Sequence, residues 1–168
     1  KAGLLDSVDI SGYQSAVGAF DAADDGTLDL GWSGVGQYHD LVSPASILTL
    51  MGCIAGDGSA ATPRLLSKIT SESGLPAGII STPTSTIGWK SSTCETLQAM
   101  MRNNVEQTYG QDQFGDLAVC AKSGTAEVGS DQAPHAWFVG FIDDDAHPYA
   151  FVSVVENGGG GASVSGKI

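Results

Sequence analysis

The stretch that decides the fold is Leu117-Ala-Val-Cys120-Ala-Lys122-Ser123-Gly124-Thr125-Ala-Glu127. Up to Ala121 it is a short apolar run of strand-compatible residues. The next four positions, Lys122 to Thr125, hold one cation, two hydroxyls and a bare backbone. Side chains alternate across a strand, so Lys122 and Gly124 fall on one face, Ser123 and Thr125 on the other. Glycine weakens a strand, and there it marks close approach by another backbone or a ligand. A cation with two hydroxyls beside an accessible edge suits an anionic group such as a carboxylate.

Downstream, a polar loop over 129–134 leads into His135-Ala-Trp-Phe-Val-Gly-Phe-Ile142. Asp143-Asp-Asp145 is a turn, and Tyr149-Ala-Phe-Val-Ser-Val-Val155 follows. Two strands joined by a short polar link make an antiparallel hairpin. The expected strands are therefore 117–125, 136–142 and 149–156. Upstream, Ser92-x-x-Glu95 reads as a capping box. Leu97, Met100, Met101, Asn104, Val105 and Thr108 recur at helical spacing behind it, and Gly110 closes the helix. The methionine pair on that stripe reads as core packing.

Further upstream, Ser43 is an expected N-cap, with Pro44 at the first helical position. Ile47, Leu48, Met51, Ile54 and Ala55 then share a helical face, and Gly56 and Gly58 end it. Thr62-Pro-Arg-Leu-Leu66 reads as extended, and 70–90 as loop with a short strand. Residues 1–31 are Gly- and Asp-rich with weak periodicity. Asp21-Ala-Ala-Asp-Asp-Gly26 resembles the opening of a calcium loop. Its third position is Ala23 and its twelfth Trp32, where carboxylates are needed, so it reads as a solvated acidic loop.

Composition bounds these readings. A chain of 168 residues with 42% hydrophobic and 15% charged residues can bury a core. A net charge of −12 opposes binding to nucleic acid or an anionic membrane surface. The three cysteines, Cys53, Cys94 and Cys120, lack C-x-x-C spacing and sit in apolar segments, so they read as small buried hydrophobes. His39, His135 and His147 are scattered, and neither a metal nor a cofactor is expected. No apolar run approaches the roughly 20 residues of a membrane span. The chain opens at Lys1 and stops at Ile168 just after a glycine run, which reads as a fragment.

Lys122-Ser123-Gly124 resembles the Lys-Thr/Ser-Gly box that ends an edge strand of the active site in penicillin-binding proteins and serine β-lactamases. The longer Lys-Ser-Gly-Thr-Ala-Glu is closer to the transpeptidase domains. Gly36-Gln37 before Ser43-Pro44 is similar to the family's Gly-Gln-Gly and its Thr/Ser-Pro helix start, departing at Tyr38. His-Ala-Trp-Phe-Val-Gly and Val-Val-Glu-Asn-Gly resemble its next two strands. The resemblance covers about residues 30–168. It implies an α/β chain of α+β type, an antiparallel sheet packed by helices with a β-lactamase/transpeptidase-like fold. Residues 1–168 would form the C-terminal portion of the domain.

Serine acyl transfer needs a nucleophile, a base and donors for the oxyanion. The family draws them from three boxes, and two are absent here. Three residues before Lys68, Lys90, Lys122 and Lys167 stand Leu65, Ile87, Val119 and Val164, so there is no Ser-x-x-Lys. Two before Asn103, Asn104 and Asn157 stand Met101, Arg102 and Val155, so there is no Ser-x-Asn. The resemblance implies that Lys122 lends positive charge to the network around a serine supplied upstream. Ser123 and Thr125 would hold the substrate carboxylate, and the Thr125 N–H would be an oxyanion donor. Gly124 would leave room for the substrate backbone. The implied activity is a serine-type peptidoglycan D,D-transpeptidase, with this chain alone inactive. Peptidoglycan stem peptides, β-lactams and the upstream half of the same domain are the implied partners. The implied location is the extracytoplasmic face of the bacterial membrane, anchored by an N-terminal segment.

Two alternatives stand beside this. One keeps the fold as a non-catalytic β-lactam or muropeptide sensor. The other is a P-loop, since Gly161-Ala-Ser-Val-Ser-Gly166-Lys167 has its spacing, although Ile168 stands where a hydroxyl must reach Mg²⁺.

Overall fold

A computed structural model describes residues 2–21, 26–37, 39–78, 80 and 83–167. The elements run β1 (Asp9–Ile10), β2 (Tyr13–Gln14), α1 (Leu28–Ser33), α2 (Pro44–Ala55), β3 (Ser59–Ala61), β4 (Ile69–Thr70), β5 (Pro76–Gly78), β6 (Thr84–Thr86), α3 (Ser91–Asn104), β7 (Val119–Ala126), β8 (His135–Ile142), β9 (Ala150–Val155) and α4 (Gly161–Val164). The main sheet is antiparallel in the order β7-β8-β9, so β7 is an edge. The three expected strands are present. The first starts at Val119 rather than Leu117, because Leu117 N–H turns back to the Phe114 carbonyl and Val119 N–H to that of Leu117. Among its described residues, the 70–90 segment takes in the end of β4 and two further short strands: β5 pairs with β4, and β6 with β3. Of the acidic 21–26 loop, residues 22–25 lie outside the described residues, as does Tyr38.

Local chemistry explains the helix boundaries. The Ser43 hydroxyl accepts the Ser46 N–H at 3.1 Å, Pro44 occupies the first turn, and α2 stops before Gly56. The stripe on α2 differs from expectation: Leu50, Met51, Cys53 and Ile54 are buried while Ala55 is exposed. That helix lies between the sheet and the β3–β6 pair, so more than one side of it is covered. The expected Ser92–Glu95 box does not form. Lys90 is the N-cap of α3 without a side-chain bond, and Ser91 donates to Glu95 at 3.2 Å. The helix starts two residues earlier than the box requires. Met101 is buried but Met100 is 62% exposed, so only one of the pair is core. After Asn104 the helix widens into a π turn, Val105–Tyr109, and ends at Gly110 with φ 91°.

The sheet separates two apolar clusters. On one face Cys120 and Phe141 meet Leu50, Met51, Cys53 and Ile54 of α2 and Cys94 and Met101 of α3. On the other, Val119, Ala121 and Phe138 meet Val105, with Tyr109, Phe114 and Phe151 packed against them. Thus α3 begins on one face, and its continuation reaches the other by passing the free edge of β7. Gly140 makes the strand pairing possible, because a Cβ there would overlap the Cys120 carbonyl and lie 3.0 Å from Ala121 Cα.

The cysteines are buried and free, as their apolar segments imply. Burial, with a smaller push from Asp143, raises the Cys120 thiol from 9.0 to about 11.

Two outcomes follow from this packing. Gly140→Ala forces backbone and Phe151 to shift, and should cost about 1–3 kcal/mol in denaturant unfolding. An unchanged midpoint would contradict the close approach. Cys120 is held protonated in the fold, so its contribution is complete below pH 9.0 and disappears as pH rises through about 11. Cys120→Ala should flatten that alkaline loss of stability in thermal melts taken at successive pH values.

Candidate substrate-docking edge

Strand parity directs the N–H and carbonyl of Val119, Ala121, Ser123 and Thr125 away from β8, toward the open side of β7. Each of those four carbonyls meets a side-chain donor. Arg102 Nη1 donates to Val119 O at 2.9 Å, Asn104 Nδ2 to Ala121 O at 3.0 Å, Lys122 Nζ to Ser123 O at 2.6 Å, and Gln37 Nε2 to Thr125 O at 2.9 Å. Gln37 also accepts the Glu127 N–H through Oε1 at 3.2 Å. Its amide therefore takes a carbonyl and an N–H two residues apart, as one residue of a parallel strand would. Arg102 and Asn104 can reach the edge because α3 crosses it there. Arg102 is further held by Glu106 at 3.1 Å.

The tetrad divides as alternation requires. Lys122 and Gly124 lie on the α2 face, where a groove of about 240 Å³ runs between β7 and Val35, Gly36, Gln37, Val42 and Ile47. Ser123 and Thr125 lie on the opposite face. Lys122 and Thr125 are exposed, Ser123 and Gly124 half-buried. The missing Cβ of Gly124 would sit 3.3 Å from Trp137 Cβ, so the glycine accommodates its cross-strand partner as well as an open groove. Ser123 Oγ accepts from the Tyr109 hydroxyl at 3.0 Å, and Thr125 Oγ1 accepts from the Gly161 N–H at 3.3 Å. Each hydroxyl thus has a protein donor and keeps its own proton for another acceptor. The Thr125 N–H shares the outward direction of its carbonyl.

The rest of the candidate chemistry lies elsewhere. His135 accepts the Asn157 N–H at 3.0 Å, His147 pairs with Asp144 at 2.9 Å, and His39 with Asp21 at 3.3 Å. The glycine run at 158–161 ends in α4, whose Gly161 packs tightly on the Gly124 and Trp137 carbonyls. Gln37, Asn104 and Tyr109 escaped assignment as site residues from sequence. Asn104 carried only a helical-stripe signal, Gln37 only its place in a glycine-flanked segment, and Tyr109 lies in a π turn outside the helical period.

The chain belongs to the penicillin binding protein transpeptidase domain family, whose model matches residues 5–168. It is 29% identical over 143 residues to the peptidoglycan D,D-transpeptidase PbpA of Mycolicibacterium smegmatis, covering 82% of this chain and 28% of that protein. In fold it is similar to penicillin-binding protein A from M. tuberculosis in its ceftriaxone acyl-enzyme complex. The TM-score is 0.86 at 23% identity, over 99% of this chain and 39% of that one. Pseudomonas aeruginosa PBP2, in complex with WCK 5153, gives a TM-score of 0.72 at 22% identity over the same shares, 99% and 39%. The chain thus spans less than a third of the length of the curated relative it matches.

Gln37→Ala should uncap the Thr125 carbonyl and the Glu127 N–H. Hydrogen exchange at the Glu127 amide is expected to rise roughly five- to tenfold, the scale of one ordinary hydrogen bond. Unchanged exchange would mean that Gln37 does not hold this edge.

Proposed function

We propose that this chain is the C-terminal, substrate-docking portion of a serine-type peptidoglycan D,D-transpeptidase. The enzyme transfers an acyl group to cross-link stem peptides, and β-lactams acylate it. The observation that carries the reading is the arrangement at the outer end of β7. There a cation, two hydroxyls with uncommitted protons and an outward N–H lie within four residues of a strand edge.

In this mechanism a D-alanyl peptide or β-lactam adds along the edge as an extended strand. Its amide N–H takes the Thr125 carbonyl from Gln37. Ser123 and Thr125 donate to its carboxylate, and Lys122 lends positive charge to the hydrogen-bond network around the serine. The Thr125 N–H is one of two donors to the oxyanion, worth most in a site closed to water. The nucleophilic serine and its lysine come from the preceding half of the domain. Support for that half comes from exposed apolar side chains upstream, among them Val17, Leu28, Val35 and Leu41, a surface suited to burial. No helix among the described residues is long and apolar enough to cross a membrane. The anchor to the extracytoplasmic face belongs, in this reading, to that preceding sequence.

Two measurements test the proposal. The isolated chain should form no covalent adduct with a fluorescent penicillin, and stoichiometric labelling would refute the missing-nucleophile reading. In the full-length protein, Lys122→Ala and Thr125→Val should each slow acylation by about one to three orders of magnitude. Unchanged acylation in both would remove their assigned roles. Full-length protein that binds penicillin without acylation would favour a sensor.

A further inference from the structure

We propose that Tyr109 is a positioning residue for carboxylate recognition, acting by orienting the Ser123 hydroxyl; this rests on the docking role given to Ser123 above. Two backbone groups fix every hydrogen in the network. The Ala121 carbonyl can only accept, so Asn104 presents its NH2 group, which reaches Ala121 O at 3.0 Å and the Tyr109 hydroxyl at 2.8 Å. The Ser123 N–H can only donate, and it meets the same hydroxyl at 2.7 Å. A phenolic oxygen has two lone pairs and one proton. With both lone pairs engaged, only the proton remains, and it goes to Ser123 Oγ at 3.0 Å. Ser123 thereby accepts from within the protein, and its own proton is left for a ligand. An ionised carboxylate, which only accepts, matches that polarity.

The ring holds this geometry in place. Tyr109 packs edge-on against Phe138 with centroids 5.3 Å apart, and Phe138 is the cross-strand partner of Ser123. The π turn ending at Tyr109 brings the hydroxyl back onto the edge that α3 has just crossed. Tyr109 touches no reacting atom; it acts through Ser123.

The test uses the full-length protein and two probes, a penicillin with its free carboxylate and the methyl ester of the same penicillin. Tyr109→Phe keeps the ring and removes the hydroxyl. It is expected to lower the second-order acylation rate for the free acid by about tenfold or more, the scale of a hydrogen bond to a charged group, and to leave the ester's rate unchanged. A purely structural role would slow both alike, and equal loss or no loss would overturn the proposal. Ser123→Ala should show the same selective loss, and adding Tyr109→Phe to it should slow the acid no further. If Ser123→Ala fails to discriminate acid from ester, the docking role of Ser123 falls and this proposal with it. If Ser123→Ala discriminates while Tyr109→Phe does not, only the Tyr109 role falls.

Discussion

An open strand edge presents unpaired N–H and carbonyl groups, and this chain answers that constraint with side chains. The outward carbonyls of Val119, Ala121, Ser123 and Thr125 each receive a donor from Arg102, Asn104, Lys122 or Gln37. An uncapped edge invites pairing with any extended chain. Capping by side chains is reversible, because an arginine or glutamine can swing away where a covering strand could not. The two ends of the edge differ accordingly. Arg102 and Asn104 project from a helix packed on β7, while the half-buried Gln37 and the exposed Lys122 line the groove.

The same crossing that closes the lower edge builds the core. Because α3 starts against Cys120 and its continuation ends against Val119 and Ala121, one helical run serves both faces of the sheet. That geometry needs tight backbone approach elsewhere. Gly140 admits the Cys120 carbonyl, and Gly161 admits the Gly124 and Trp137 carbonyls, so α4 can lie directly on the strands that carry the box. Its first N–H then falls on Thr125 Oγ1. Packing and hydroxyl polarity are in this way one arrangement.

Both hydroxyls of the box accept from the protein before any ligand arrives. Ser123 is served by Tyr109 and Thr125 by Gly161. A hydroxyl free to rotate loses entropy when it binds an anion, and one already oriented loses less. The division of the tetrad across two faces gives each group a separate role. The hydroxyls face the α4 side, the lysine and glycine face the groove, and the outward N–H lies on the edge between them.

Sequence alone determined the three strands, the helix begun by Ser43-Pro44, the Gly110 stop and the Lys122–Thr125 box. Each rests on local chemistry: period-two alternation, a cap, a left-handed glycine, a clustered set of polar groups. It misplaced the α3 cap and counted Met100 as core, because two residues of helix offset or one uncovered side is decided by what packs alongside. Only the tertiary structure revealed Gln37 and Tyr109 as partners of the edge. Gln37 meets Glu127 across 90 positions and Tyr109 meets Ser123 across 14. Contacts at such separations leave no periodic trace in the chain, since they depend on where α3 crosses the sheet and not on the residues between.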